Sequence, residues 1–222
     1  MKEALKGFIR DLLIVTAVFV ALNAFNSTVL AVPDVCYVAV WNNRAARDYR
    51  SIRGNQTRQT FTVYNATASY VCLYRSSTDF FCAGFAKGYA PNGTWLSVPY
   101  YYVDWNINGY NCLFFEQAPA GSYDYMLFVF SHVNGSDTMY AFIDCNFKIS
   151  VSGFSSEGYE ALGATETHDT RDQMNHWFSN MRAGEDWCTY SSFTNPLTYE
   201  DDPPYNLNLI SASEWTATGQ GS

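Results

Sequence analysis

Residues 123–132, YDYMLFVFSH, are followed at 138–143 by TMYAFI and at 145–151 by CNFKISV, three short aromatic and aliphatic runs separated by Val133-Asn-Gly-Ser-Asp137 and by Asp144. Short runs of this kind between turn residues read as strands. The same texture extends upstream, at 35–41, 58–64, 68–75, 79–86, 94–103 and 110–116, with Asn92-Gly93 as a second turn signal. Nine such strands at this spacing predict an all-β domain, a β-sandwich of jelly-roll type, over residues 32–152. Runs such as 123–130 are apolar on both faces, so the second face needs a cover.

The stretch Pro119-Ala-Gly-Ser-Tyr123 resembles the Pro-Ala-Gly-x-Tyr lead-in to a strand found in bacterial and archaeal jelly-roll modules. The resemblance implies the same fold class.

Beyond Ser152 the composition turns polar. Residues 1–152 hold 11 Lys/Arg against 10 Asp/Glu, and residues 153–222 hold 2 against 11, so the C-terminal third accounts for all of the net charge of −8. Met174, Trp177 and Met181 recur at i, i+3 and i+7, which predicts a short helix near 170–183 within an otherwise irregular acidic extension, 153–222. The chain lacks a Lys-rich patch, which argues against nucleic-acid binding.

At the other end, Lys2, Lys6 and Arg10 precede an apolar run, Leu12–Leu22, and small residues stand at Val29 and Ala31. That order predicts a secretory signal over 1–31. The alternative is a retained membrane anchor through residues 8–32 as an N-terminal hydrophobic helix. Gly7-Phe-Ile-Arg-Asp-Leu-Leu-Ile-Val15 resembles the type IV prepilin signature and would imply a pilin-like subunit, although Arg10, Asp11 and Pro33 depart from that pattern. Each reading places the rest of the chain outside the cell or on a cell or virion surface.

Six cysteines, none in C-x-x-C spacing, suit disulfides in such a compartment. The pairing expected is Cys72 with Cys82 across a hairpin, Cys112 with Cys145, and Cys36 with Cys188. N-x-[ST] sequons at Asn55, Asn65, Asn92 and Asn134 are candidate glycan sites.

Candidate chemistry is sparse. His168 and His176 lack the i, i+4 spacing of a helical metal pair, and neither a G-x-S-x-G elbow nor a cofactor motif is present. Asp104 and Glu116, the acids of the most aromatic stretch, read as solubilising surface groups. Trp95 and Trp105, among the tyrosines around them, form a possible glycan-stacking platform. Arg44, Arg47, Arg50 and Arg53 recur every third residue, and Glu200, Asp201 and Asp202 offer opposite charge for docking the tail of the same chain or of a neighbour. These features lead to the expectation of a non-enzymatic extracellular structural glycoprotein without cofactor or metal. It would self-assemble as a homo-oligomer or polymer, in a filament, a layer or a virion surface. The alternatives are a monomeric glycan-binding module and a pilin-like subunit.

Overall fold

The computed structural model describes residues 36–42, 48–107, 109–131, 137–194 and 197–221, and the expectations for residues 1–31, Arg44, Arg47 and Asn134 lie outside them. The described chain forms fifteen strands: β1 Cys36–Asn42, β2 Ser51–Arg58, β3 Ala66–Ser76, β4 Asp79–Tyr89, β5 Trp95–Ile107, β6 Tyr110–Gln117, β7 Gly121–Ser131, β8 Asp137–Ile143, β9 Asn146–Phe154, β10 Glu160–Thr167, β11 Met174–Gly184, β12 Ser191–Ser192, β13 Leu197–Asp201, β14 Asn206–Ser211 and β15 Glu214–Gly219. They build two antiparallel sheets. One is seven-stranded, in the order β13-β1-β10-β3-β4-β5-β6, and the other eight-stranded, in the order β14-β15-β11-β2-β7-β8-β9, with β12 pairing β11.

The expected all-β sandwich is therefore present, with about fifteen strands in place of nine. Alternation explains how the two sheets face each other. Val71 and Leu73 of β3, Phe81, Ala83 and Phe85 of β4, and Tyr101 and Val103 of β5 point inward to meet Leu127, Val129, Met139, Phe178 and Trp215 of the other sheet. On the opposite side of the seven-stranded sheet, Ala39, Trp41, Cys72, Cys82, Leu162 and Ala164 form a second cluster, packed with Tyr70, Tyr74 and Phe80.

The expectation of an irregular C-terminal extension with one helix is corrected. Residues 160–219 supply six strands, and no helix occurs among the described residues. Met174, His176 and Phe178 point into the core with period 2, Trp177 points out, and the pairing with β2 then slips between Ser179 and Arg182. Asn180 occupies the left-handed region at φ 54° in that bulge, so Met181 and Ala183 become the inward residues. The slip converts a strand's alternation into spacing that mimics a helix.

β2 was expected at 58–64 but lies at 51–58, because after Ile52 its inward positions, Gly54 and Gln56, carry no large apolar group. A Cβ on Gly54 would lie 2.1 Å from Met181 Sδ, so the glycine makes room for that methionine. Gln56 is fully buried; its amide donates to Ser69 O at 3.1 Å and accepts from Val71 N at 2.9 Å, tying β2 to β3 of the facing sheet.

Candidate functional site: a carboxyl-lined cleft on the seven-stranded sheet

The outer face of the seven-stranded sheet is fixed by register. Leu162, Cys72, Cys82, Asp104 and Cys112 are cross-strand partners in one row, Ala164, Tyr70, Gly84, Tyr102 and Phe114 in the next, and Glu166, Ala68 and Ala86 in a third. The small residues in the middle of these rows leave space. Bulky neighbours and the β4–β5 hairpin enclose it as a cleft of about 740 Å³, lined among others by Ala68, Ala86, Tyr102, Asp104, Tyr110 and Glu166.

Gly84 sets the shape of its floor. A Cβ there would stand 1.9 Å from Ser69 O and 2.7 Å from Tyr70 Cα, so only glycine lets β3 and β4 approach this closely. Next to it the Cys72–Cys82 disulfide joins the same two strands, as the hairpin reading anticipated. Such a bond suits an oxidising compartment.

Two carboxyls face the cleft in different surroundings. Asp104 Oδ2 accepts a hydrogen bond from the Tyr110 hydroxyl at 3.2 Å, and Oδ1 is buried without a hydrogen-bond partner. Burial, and then the charge of Glu166, push the Asp104 carboxyl well above the usual carboxylate range. Glu166 Oε2 accepts from the Tyr70 hydroxyl at 3.1 Å, and its Oε1 lies 3.8 Å from His168 Nε2. Tyr70 and Tyr102 are each raised first by burial, and both also feel Glu166 and Asp104. The two acids and two phenols are therefore one electrostatic unit. Cys112, across from Asp104, has its thiol raised by burial and then by Asp104, which disfavours a thiolate nucleophile.

One end of the cleft is pinned by Asp172, whose buried carboxylate accepts from the backbone N–H groups of Tyr64, Asn65 (3.0 Å) and Ala66 (3.0 Å) and from the Thr167 hydroxyl (2.8 Å). This anchor holds the lead-in to β3 against the end of β10, where His168 lies.

Most residues singled out in the sequence stand elsewhere. Arg50 pairs with buried Asp137 at 2.6 Å, and Arg53 with Asp124 at 2.7 Å, so neither docks the acidic tail. That tail instead pairs its strand β13 with β1, and Asp202 accepts from Tyr37 N at 2.8 Å. Glu200 lies opposite Ala39, and Asp201 opposite Val38, in the same pairing.

Trp105 packs against Phe81 and the core, while Trp95 meets Tyr89 at the β4–β5 hairpin, so the two tryptophans do not form one platform. Glu116 pairs with Lys148. Asn92 sits in the exposed turn, accepting from Thr94 N at 3.0 Å, Asn65 donates to His168 O at 3.0 Å, and Asn55 lies within β2. The expected Cys112–Cys145 and Cys36–Cys188 bridges are not formed: Cys112 belongs to β6 of one sheet and Cys145 to the β8–β9 turn of the other.

His176 was expected on a solvated helix but lies in the core at 2% exposure, between the rings of Phe61 and Phe85 at 4.8 and 5.1 Å. Sequence reasoning missed Glu166, on a strand that had not been recognised; the alternation in Glu160-Ala-Leu-Gly-Ala-Thr-Glu-Thr167 is the signal that could have found it.

A two-sheet antiparallel sandwich of this kind is a fold shared with solved structures of glutamic peptidases. Two structures of scytalidoglutamic peptidase with transition-state analogues superimpose with TM-scores of 0.54 and 0.56, and SCP-B, an eqolisin-family peptidase bound to the tripeptide Ala-Ile-His, with 0.51. Each is 12% identical and covers 84% of this chain and 98% of its own. Identity this low establishes a common fold alone. No family model and no curated protein matches the sequence. The expectation of a non-enzymatic structural glycoprotein, with its binding-module and pilin-like alternatives, is corrected by this likeness: the solved structures that share the fold are peptidases.

Proposed function

We propose that the protein is an exported hydrolase that cleaves amide bonds in peptide chains by carboxyl acid–base chemistry in the cleft of the seven-stranded sheet. The observation that carries this reading is Asp104. Its carboxyl is held above the ordinary range by burial, keeps one oxygen without a partner, and shares a cleft with Glu166. Acids whose surroundings differ in this way divide naturally into proton donor and proton acceptor.

In this reading a peptide lies along the outer face, and the peptide ligands in the named structures support that class of substrate. Glu166, oriented by the Tyr70 hydroxyl, takes a proton from water as the water oxygen bonds to the scissile carbonyl carbon. Protonated Asp104 gives its proton to the departing nitrogen as the C–N bond breaks, leaving a carboxylic acid and an amine. Burial preserves the protonated form of Asp104 against the hydrogen bond from the Tyr110 hydroxyl, which favours the ionised carboxylate. The cleft works where Asp104 is protonated, so the alkaline limb of the rate profile reports Asp104.

The test is cleavage of an unfolded protein and a mixed peptide library between pH 3 and 7. Asp104→Asn and Glu166→Gln are each expected to lower kcat/KM by about 100-fold or more, with near-UV circular dichroism unchanged. Absence of cleavage by the wild-type protein across that range, or full activity in both variants, would overturn the proposal.

A further inference from the structure

The cleft is divided. At one end Asp104, Tyr110 and Asn106 present polar atoms, whereas at the other the floor is made of Ala66, Ala68 and Ala86. Ala68 and Ala86 are direct cross-strand partners, beside Glu166 on β10. Both are only partly buried although they lie in the interior of a sheet, because no described residue covers them fully. The walls above them are large and apolar: Leu96 from the β4–β5 hairpin on one side, Tyr102 and Phe114 on the other.

Two alanines opposite each other inside a sheet otherwise rich in Phe and Tyr leave a depression about one large side chain deep. We infer that this depression is a specificity subsite that takes a large apolar side chain, aromatic or branched, of a bound peptide. The inference rests on the hydrolytic reading above and names its substrate class.

The physical argument is one of fit. A methyl-floored, ring-walled recess gains little from a small or charged residue, whereas filling it removes apolar surface from water on both partners. Glu166 and His168 at its rim place the recess next to the acceptor carboxylate, so the residue that fills it lies close to the bond attacked. Lys87, at the same end, donates to Phe61 O at 3.0 Å and holds its ammonium over the Phe61 ring, so its charge is already engaged.

The experiment compares two otherwise identical peptides, one with Phe and one with Ala at a single varied position, against wild-type protein and Ala86→Leu, with Ala68→Leu as an independent second variant. Each recess-filling variant is first checked for an unchanged melting temperature within a few degrees. Wild-type kcat/KM is expected to favour the Phe peptide by at least about 10-fold, and the Phe-to-Ala ratio is expected to collapse towards 1 in the filled variants. Binding of the same peptides to Asp104→Asn protein, by calorimetry, gives a readout independent of turnover, with the same preference expected there and lost on adding Ala86→Leu.

If the wild type cleaves both peptides equally, or Ala86→Leu keeps the preference, the subsite is refuted while the hydrolytic reading stands. If nothing is cleaved but Phe peptides still bind selectively through Ala86, the hydrolytic reading fails and the subsite survives. No selective binding in any form overturns the subsite.

Discussion

Replacing His176 with leucine is expected to flatten the dependence of stability on pH under acid conditions. His176 lies between Phe61 and Phe85, and neither ring nitrogen has a hydrogen-bond partner. Desolvation, and to a lesser degree Arg58, depress its pKa from 6.5 to about 3. Another cation, Lys87, lies over the Phe61 ring. The depressed folded-state pKa sets the sign. The unfolded chain binds a proton below about pH 6.5 and the folded chain does not, so this contribution is complete above 6.5 and is lost as pH falls towards 3. Each unit is worth about 1.4 kcal/mol, so the histidine costs roughly 3 kcal/mol at pH 4. Urea unfolding of wild type and His176→Leu at half-unit intervals from pH 3.5 to 7.5 measures this directly. The packing cost of leucine is constant with pH, whereas the difference between the two curves changes with a slope near 1.4 kcal/mol per unit below pH 6. Parallel curves would refute the reasoning.

Three further perturbations probe the architecture around the cleft. Gly84→Ala is expected to destabilise by about 1–3 kcal/mol or more in chemical denaturation, because its Cβ would meet Ser69 O and the backbone must move. Arg50→Met leaves Asp137, 2% exposed, without the guanidinium that neutralises it, and is expected to cost about 3 kcal/mol in the same assay; an unchanged midpoint would contradict the buried pairing. Removing the Cys72–Cys82 bond by double substitution with alanine is expected to lower stability by about 2–3 kcal/mol, the loop-closure value for a separation of 10 residues, and to make thermal unfolding insensitive to reductant.

The sandwich was legible where the strands advertise themselves. β4, β5, β7 and β8 carry runs of Phe, Tyr and Val, and the Asn92-Gly93 turn sits at the expected hairpin tip. The strands that were misread have particular reasons. β10 is built from alanine, glycine and threonine because its neighbours are large: a Cβ on Gly163 would lie 2.8 Å from the Trp215 ring. β2 hides behind Gly54 and Gln56, and β11 behind its bulge at Asn180. The candidate site was illegible for a related reason. Asp104 looks like an ordinary surface acid until register sets it beside Cys82 and Cys112, and Glu166 belongs to a strand whose one large apolar residue is Leu162. The burial that raises Asp104 is a property of the sheet and not of the residue's local sequence.

The order of strands in the seven-stranded sheet also bears on how the molecule comes into being. β1 near the N-terminus is flanked by β10 and β13, and β10 lies between β1 and β3. Until residues 160–201 have emerged during synthesis, the first strand has neither neighbour and β3 exposes one of its edges. Pairings that span most of the chain form slowly and late. The seven-stranded sheet, and with it the Glu166 side of the cleft, is therefore completed only once residues 160–201 have been made.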